Sequence, residues 1–166
     1  MRLVGKDKQL LDKMVEWQKD DVMRLKTNGT SVPYSEDYVR AYFDQTYDGH
    51  LNMLVGVESD SGTIVGAFML DDIDRRNLRC YMHLQFEECA RGSCSKSACT
   101  AIVNFAFQEL HLKQLLGIIS EDNTTALRFV EKMGWRKVAV LPEYYSGTMG
   151  FKDGIMVRLI PEWRNF

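Results

Sequence analysis

Residues 78 to 119 constrain the fold more than any other part of the chain. A strand-like run, Leu78 to Phe86, is followed by a polar segment and then, from Cys94 or Ser95, by a helix carrying Ala98, Ala101, Ile102, Phe105, Ala106 and Leu110. Small or apolar residues surround most of that helix, so it must be covered on more than one side. The apolar run Leu115 to Ile119 then returns the chain to strand type. A strand, a buried helix and a second strand pack as a right-handed crossover between two parallel strands, with the helix lying on the sheet.

The flanking segments fit onto that unit. From Asp7 to about Lys26, the residues Leu10, Leu11, Met14, Val15, Val22 and Leu25 recur near a period of 3.6, which predicts a first helix. Asn28, Gly29, Thr30 and Ser31 interrupt it. Beyond Pro33 the hydroxyl of Ser35 is placed to cap a second helix that presents Tyr38, Val39, Tyr42 and Phe43 and stops near Asp48 and Gly49. Those aromatics form either a packed helix face or one side of a substrate groove. Asn52 to Glu58 and Thr63 to Leu70 read as an antiparallel hairpin about Ser59 to Gly62, and Asp71 to Asn77 as a polar connection.

After the crossover, Ser120 to Asn123 lead into an amphipathic helix through Ala126, Leu127, Val130 and Met133, with Gly134 placed to end it. Trp135 to Leu141 and Ile155 to Ile160 read as the final strands, separated by an aromatic loop, Pro142 to Gly150. The prediction is an α/β fold: a mixed central sheet flanked by about four helices, in a single domain spanning 1–166.

Composition narrows the class of partner. A chain of 166 residues buries roughly 70% of its extended-chain surface on folding, enough for a sizeable core. The net charge of -2, with Lys and Arg spread among Asp and Glu, offers no basic stripe for nucleic acid. The apolar run Ile64 to Leu70 is too short to cross a bilayer as a helix, and Met1 to Asp7 turns charged at once, so the expectation is a cytoplasmic protein without a membrane partner. Cys80, Cys89, Cys94 and Cys99 are separated by nine, five and five positions, not the close pairs of structural zinc, and no metal site is expected.

Two motifs carry the chemistry. The first is Arg91-Gly92-Ser93-Cys94-Ser95-Lys96-Ser97, between a strand and a buried helix. Helix N-terminal amides lack intrahelical acceptors and carry partial positive charge, so this turn is either a phosphate cradle or an ordinary strand-to-helix connection. The second is Asn123-x-x-Ala126-x-x-Phe129-x-x-x-x-Gly134-Trp135, directly after the second parallel strand.

With the order of elements, that second motif resembles the last conserved block of the GNAT superfamily of acyl-CoA-dependent N-acyltransferases, and the resemblance spans roughly residues 7 to 160. It implies a GNAT-like sheet whose parallel strands splay apart to admit acetyl-CoA or another acyl-CoA. It further implies that Arg91, Gly92, Ser93, Cys94, Ser95 and Lys96 cradle the pyrophosphate. Main-chain groups at Leu84, Gln85 and Phe86 would align the pantetheine arm, and Asn123 would touch the cofactor. The implied activity is acetyl transfer from acetyl-CoA to a primary amine of a small molecule or protein, with a homodimer or an assembly partner as a further association.

Departures from the family pattern bear on that activity. The signature Arg/Gln-x-x-Gly-x-Gly/Ala aligns either on Arg91, placing Cys94 and Lys96 at the glycines, or on Cys89, keeping Gly92 and placing Cys94 last. Lys96 then either obstructs the cofactor or pairs with its phosphate. Val130 stands where the family often has a tyrosine that protonates the departing thiolate, leaving Tyr144 and Tyr145 as substitutes. For the base that receives the amine proton, Glu87 and His83 lead, ahead of Glu58 and Glu88. The ordinary roles of these groups are solvated strand-end charges and, for His83, a structural hydrogen bond. These departures motivate an alternative: a catalytically degenerate GNAT-fold protein that acts in ligand binding or macromolecular assembly.

Overall fold

The computed structural model describes residues 1–20, 35–46, 50–147 and 150–163. Within them seven strands form one mixed sheet: β1 (Arg2–Val4), β2 (Met53–Glu58), β3 (Ile64–Asp74), β4 (Arg79–Phe86), β5 (Gln114–Ser120), β6 (Arg136–Gly147) and β7 (Gly150–Leu159). Their order is β1-β2-β3-β4-β5-β7-β6. Neighbours are antiparallel except β4 and β5, the parallel pair expected across the crossover. Four α-helices accompany the sheet among the described residues: α1 (Lys8–Lys19), α2 (Glu36–Thr46), α3 (Ser93–Gln108) and α4 (Thr124–Lys132). None of these helices is long and apolar enough to cross a membrane.

Strand alternation divides the core between the two faces of the sheet. Phe68 and Leu70 of β3, with Cys80 and Met82 of β4, pack with Ala98, Cys99, Ile102 and Ala106 of α3 and Val130 of α4. The intervening Ala67 and Met69 of β3 face the other way, toward Leu10 and Trp17 of α1 and Phe43 of α2. The crossover helix α3 is therefore covered as its composition requires.

The expected cap at Ser35 holds, and Asp7 caps the first helix as well. Asp7 accepts the amide of Leu10 at 2.8 Å to open α1, and Ser35 Oγ accepts that of Tyr38 at 3.3 Å to open α2. The first helix is shorter than expected, ending at Lys19 with Asp20 extended. Val22, Leu25, Asn28 to Ser31 and Pro33 lie outside the described residues, as do Asp48 and Gly49. On α2, Phe43 is buried, but Tyr38 is 67% exposed and stacks on Tyr42. The aromatics thus do not form one packed face.

Two further expectations are corrected, and one element is new: the N-terminal residues form β1, a strand of 3 residues, too short to show a pattern of its own. The polar connection expected from Asp71 is instead the end of β3. It continues through a bulge at Asp72, with φ 51, to Asp74, whose carboxylate receives the amides of Arg76 and Asn77. The loop expected from Pro142 to Gly150 is instead mostly a long hairpin, pairing Tyr145 with Lys152 and Ser146 with Phe151, with an irregularity between Leu141 and Tyr145. Proline is tolerated there because β6 is an edge strand. Thr148 and Met149 of that segment lie outside the described residues.

Candidate active site

The parallel strands pair only at their start. Arg79, Cys80 and Tyr81 oppose Gln114, Leu115 and Leu116, and beyond them β4 and β5 part. Each strand keeps its outer neighbour, β3 for β4 and β7 for β5, so the parting opens the interior of the sheet rather than fraying an edge. Facing main-chain groups along a parted ladder need other partners, which makes such a gap a natural seat for an extended polar ligand.

A cavity of about 360 Å³ occupies the gap. Leu84, Gln85 and Phe86 line it from β4, Ile118 and Ile119 from β5, and Phe129 and Val130 from α4. Arg91, Gly92 and Ser95 stand at one end, with Asn123 also in the wall. Two buried donors in this wall, Gln85 Nε2 and Trp135 Nε1, have no hydrogen-bond partner among the described residues. Gln85 is only 6% exposed, so an unmet donor there costs about 1–3 kcal/mol until something accepts it.

The turn into α3 explains the cavity's polar end. Gly92 has φ 97 and ψ -122, a backbone region essentially restricted to glycine, and it is the N-cap of the helix. Ser95 Oγ accepts the amide of Gly92 at 3.1 Å, and the amide of Lys96 donates to the Gly92 carbonyl at 3.1 Å. Between them the amides of Ser93, Cys94 and Ser95 lack intrahelical acceptors. The special backbone at Gly92 supports the alignment in which that glycine is retained and Cys94 takes the last position. Ser93, Cys94 and Lys96 are outside the cavity lining. The Cys94 thiol lies 3.8 Å from Met1 Sδ, and Lys96 is exposed.

Asn123 has two positions in one. Its Oδ1 accepts the amide of Ala126 at 3.2 Å, capping α4, while the residue lines the cavity. Gly134, with φ 87, closes the C-terminal turn of that helix and delivers Trp135 to the cavity wall.

The acid–base candidates are not gathered in one place. His83 lines the cavity, with Nε2 3.3 Å from Asp71 Oδ2. Glu87 is outside the wall: Lys13 Nζ is 2.6 Å from its carboxylate, and Trp17 Nε1 donates to it at 3.1 Å. Burial opposes ionisation of Glu87, but Lys13 and Trp17 outweigh it and hold the carboxyl below the ordinary glutamate value. Glu58 is paired with Arg2 at 2.7 Å, and Glu88, exposed, begins a 3-10 turn.

Tyr145 lines the cavity, but its hydroxyl donates to the Ile118 carbonyl at 2.9 Å. Burial and the neighbouring Tyr144 push its pKa up to about 12. Tyr144 is outside the wall, half-exposed, with its ring edge-on to Tyr145 at 5.0 Å. Asp71, the side chain of Gln85 and the indole of Trp135 were not singled out by sequence reasoning. Strand alternation places Gln85 two residues beyond His83 on the same face, a usable signal once His83 is suspected.

Comparison with known proteins agrees with this architecture. The profile of the acetyltransferase (GNAT) domain family matches residues 2–136. An SPbeta prophage-derived uncharacterized N-acetyltransferase of Bacillus subtilis (strain 168), YokL, is 26% identical over 137 residues, covering 82% of this chain and 77% of its own. Among solved structures, the spermidine N-acetyltransferase of Vibrio cholerae in complex with CoA and spermine superposes with a TM-score of 0.88 at 12% identity, covering 98% of this chain and 96% of that one. A chimera of that enzyme with hSSAT gives 0.84 at 13% identity, covering 98% and 97%. At these identities the structural likeness is one of fold.

Proposed function

This chain belongs to the GNAT acetyltransferase family, and from that premise we propose that it is an N-acyltransferase that moves an acetyl group from acetyl-CoA to a primary amine of a small molecule or protein. The observation that carries the reading is the cavity in the parted β4–β5 ladder, ending at the Gly92 turn.

The residues present suit an acyl-CoA. The Ser93, Cys94 and Ser95 amides and the Arg91 guanidinium favour a pyrophosphate at the helix N-terminus. Along the slot, the main chain of Leu84 to Phe86 and the unmet donors of Gln85 and Trp135 suit the amide carbonyls of a pantetheine arm. Asn123 meets the arm from the other side of the slot. When bound, the acyl-CoA supplies an activated acyl group as a thioester.

The remaining work falls to the chain's own residues. The apolar wall of Ile118, Ile119 and Phe129 excludes water from the slot and so strengthens polar contacts inside it. His83 is the acid–base candidate in the wall and receives the amine proton, whereas Glu87 is engaged by Lys13 and Trp17. Val130 has no proton to give and the Tyr145 hydroxyl is committed to Ile118, so the sulfur takes its proton from solvent.

Calorimetric titration with acetyl-CoA and with CoA tests the reading, followed by transfer assays over an amine panel. Spermidine and spermine head that panel because the Vibrio cholerae enzyme of this fold is a spermidine N-acetyltransferase seen with spermine. Folded protein that binds neither acetyl-CoA nor CoA would sink the proposal. Binding without transfer to any amine would favour the degenerate, ligand-binding reading that Val130 motivates.

A further inference from the structure

Arg136 and Arg158 are direct partners across the β6–β7 ladder, so two guanidinium groups occupy adjacent positions on one face of the sheet. Both reach the same indole: Arg136 Cζ is 4.2 Å from the centre of the Trp163 ring and Arg158 Cζ is 5.1 Å from it. Like charges placed directly opposite each other destabilise a sheet unless a charge of the other sign joins them. No carboxylate pairs with either arginine among the described residues, and Arg158 Nε is buried there without an acceptor. Stacking on the indole offsets part of the lost hydration, but a ring face gives the guanidinium N–H groups no oxygen to donate to.

Arg136 and Trp163 also stand in the wall of a second cavity, of about 780 Å³, between α4 and strands β6 and β7. Leu127, Ile155 and Val157 give it an apolar floor, and the exposed Lys137 adds a further cation. Two carboxylates share the wall: Glu121, whose Oε1 accepts the Asp153 amide at 3.0 Å, and the exposed Glu131. Strand alternation turns Arg158 to the sheet face away from Val157. Trp163, in the 3-10 turn Pro161–Trp163 that follows β7, is therefore the junction at which the arginines and the cavity meet.

We infer that Arg136, Arg158 and Trp163 form a second ligand site, which takes a carboxylate joined to an apolar body. The carboxylate lies on the two guanidinium groups, and the body runs past the indole toward Leu127, Ile155 and Val157. A carboxylate supplies the missing negative charge and two coplanar oxygens for two planar forks. A bare inorganic anion would answer the charge but leave the apolar floor in water. The acyl-CoA slot has its own polar end at Arg91, Gly92 and Ser95, so this site stands independently of the transferase reading.

The test is an NMR titration of the whole protein that follows the indole N–H of Trp163, assigned with Trp163→Phe, against octanoate, 1-octanol and inorganic phosphate. Octanoate should move that signal saturably and bind at least about tenfold tighter than octanol or phosphate, since it alone offers both parts. Arg136→Gln, at an exposed position, should weaken octanoate about tenfold or more while leaving octanol unchanged, and Arg136→Lys should recover only part of the loss. Arg91→Gln should leave octanoate binding as in the parent. Loss of binding in Arg91→Gln but not in Arg136→Gln would put octanoate in the first cavity and overturn the inference. Equal binding of octanoate and octanol overturns the carboxylate assignment, and equal binding of octanoate and phosphate overturns the apolar body. A Trp163 signal that none of the three compounds moves overturns the site altogether. A dimer in sedimentation that Arg136→Gln dissociates would give the arginines to an acidic side chain of a second copy, which also overturns the small-ligand assignment.

Discussion

The hydroxyl of Tyr145 reaches past β7 to the main-chain carbonyl of Ile118 on β5, at 2.9 Å. The bond ties the long β6–β7 hairpin to one wall of the cavity. Tyr145→Phe removes the donor and leaves that carbonyl short of a partner, which should cost about 1 kcal/mol in a urea unfolding measurement. Because the hydroxyl holds the wall rather than donating a proton, acetyl-CoA affinity should weaken more than kcat falls. A kcat loss on the order of 100-fold at unchanged affinity would instead make Tyr145 the proton donor. With its pKa pushed up to about 12, Tyr145 itself contributes no limb to a pH profile below pH 10.

Glu87 illustrates a charged residue whose position at a strand end suggests catalysis while its partners serve the fold. Glu87→Gln should lower stability at neutral pH by about 1–2 kcal/mol, since Lys13 loses its short charge-assisted contact while Trp17 keeps an acceptor. The pH dependence has a definite sign. The folded carboxyl sits below the ordinary 4.5, so its stabilisation is present above that value and is lost as pH falls through the folded value. The parent should therefore lose stability more steeply below 4.5 than the variant does, and turnover per folded molecule should be retained.

The crossover was legible because it rests on patterns that tertiary packing seldom overrides: two strand-length runs and a helix apolar around most of its surface. Gly134 was legible for a related reason, since a positive-φ stop is a local requirement, whereas Asn123 was legible through the family motif and proves also to cap its helix. What escaped depends on pairing across the sheet. Asp71 and Asp72 resemble a polar connection until β4 supplies the ladder that carries β3 past them. Pro142 resembles a loop signal until β6 proves to be an edge strand. The partners of Glu87 lie on α1, with Trp17 70 positions away from it, beyond the reach of any local pattern.

The Gly92 turn yields a prediction that separates backbone from side-chain effects. A Cβ at Gly92 meets nothing within 4 Å, so the cost of Gly92→Ala is conformational, about 1–3 kcal/mol at φ 97, and the turn can relieve it by rotating the amides of the cradle. Acetyl-CoA binding should weaken at least about tenfold in calorimetry, a loss of roughly 1.4 kcal/mol. Lys96 is exposed and outside the cavity wall, so Lys96→Ala should weaken binding modestly and in a salt-dependent way. Tighter binding in Lys96→Ala would show that its side chain obstructs the site.

Alkaline unfolding should be governed by two core thiols. Cys80 and Cys99 are both fully buried, on β4 and α3, and burial pushes each from 9.0 up to about 12, with Asp71 and Asp72 adding to the shift at Cys80. Folding therefore favours the protonated thiol. That contribution is intact below pH 9 and declines as pH rises from 9.0 toward 12, because the unfolded chain has released protons that the folded chain retains. The limiting slope is about 1.4 kcal/mol per pH unit for each thiol, negative in sign. Urea midpoints measured from pH 8 to pH 11 should fall over this interval. The double variant Cys80→Ala with Cys99→Ala should start lower, having lost core volume, but fall less steeply. Cys89→Ala, at an exposed thiol, should leave the slope as in the parent; equal slopes in all three proteins would remove the core thiols as the cause.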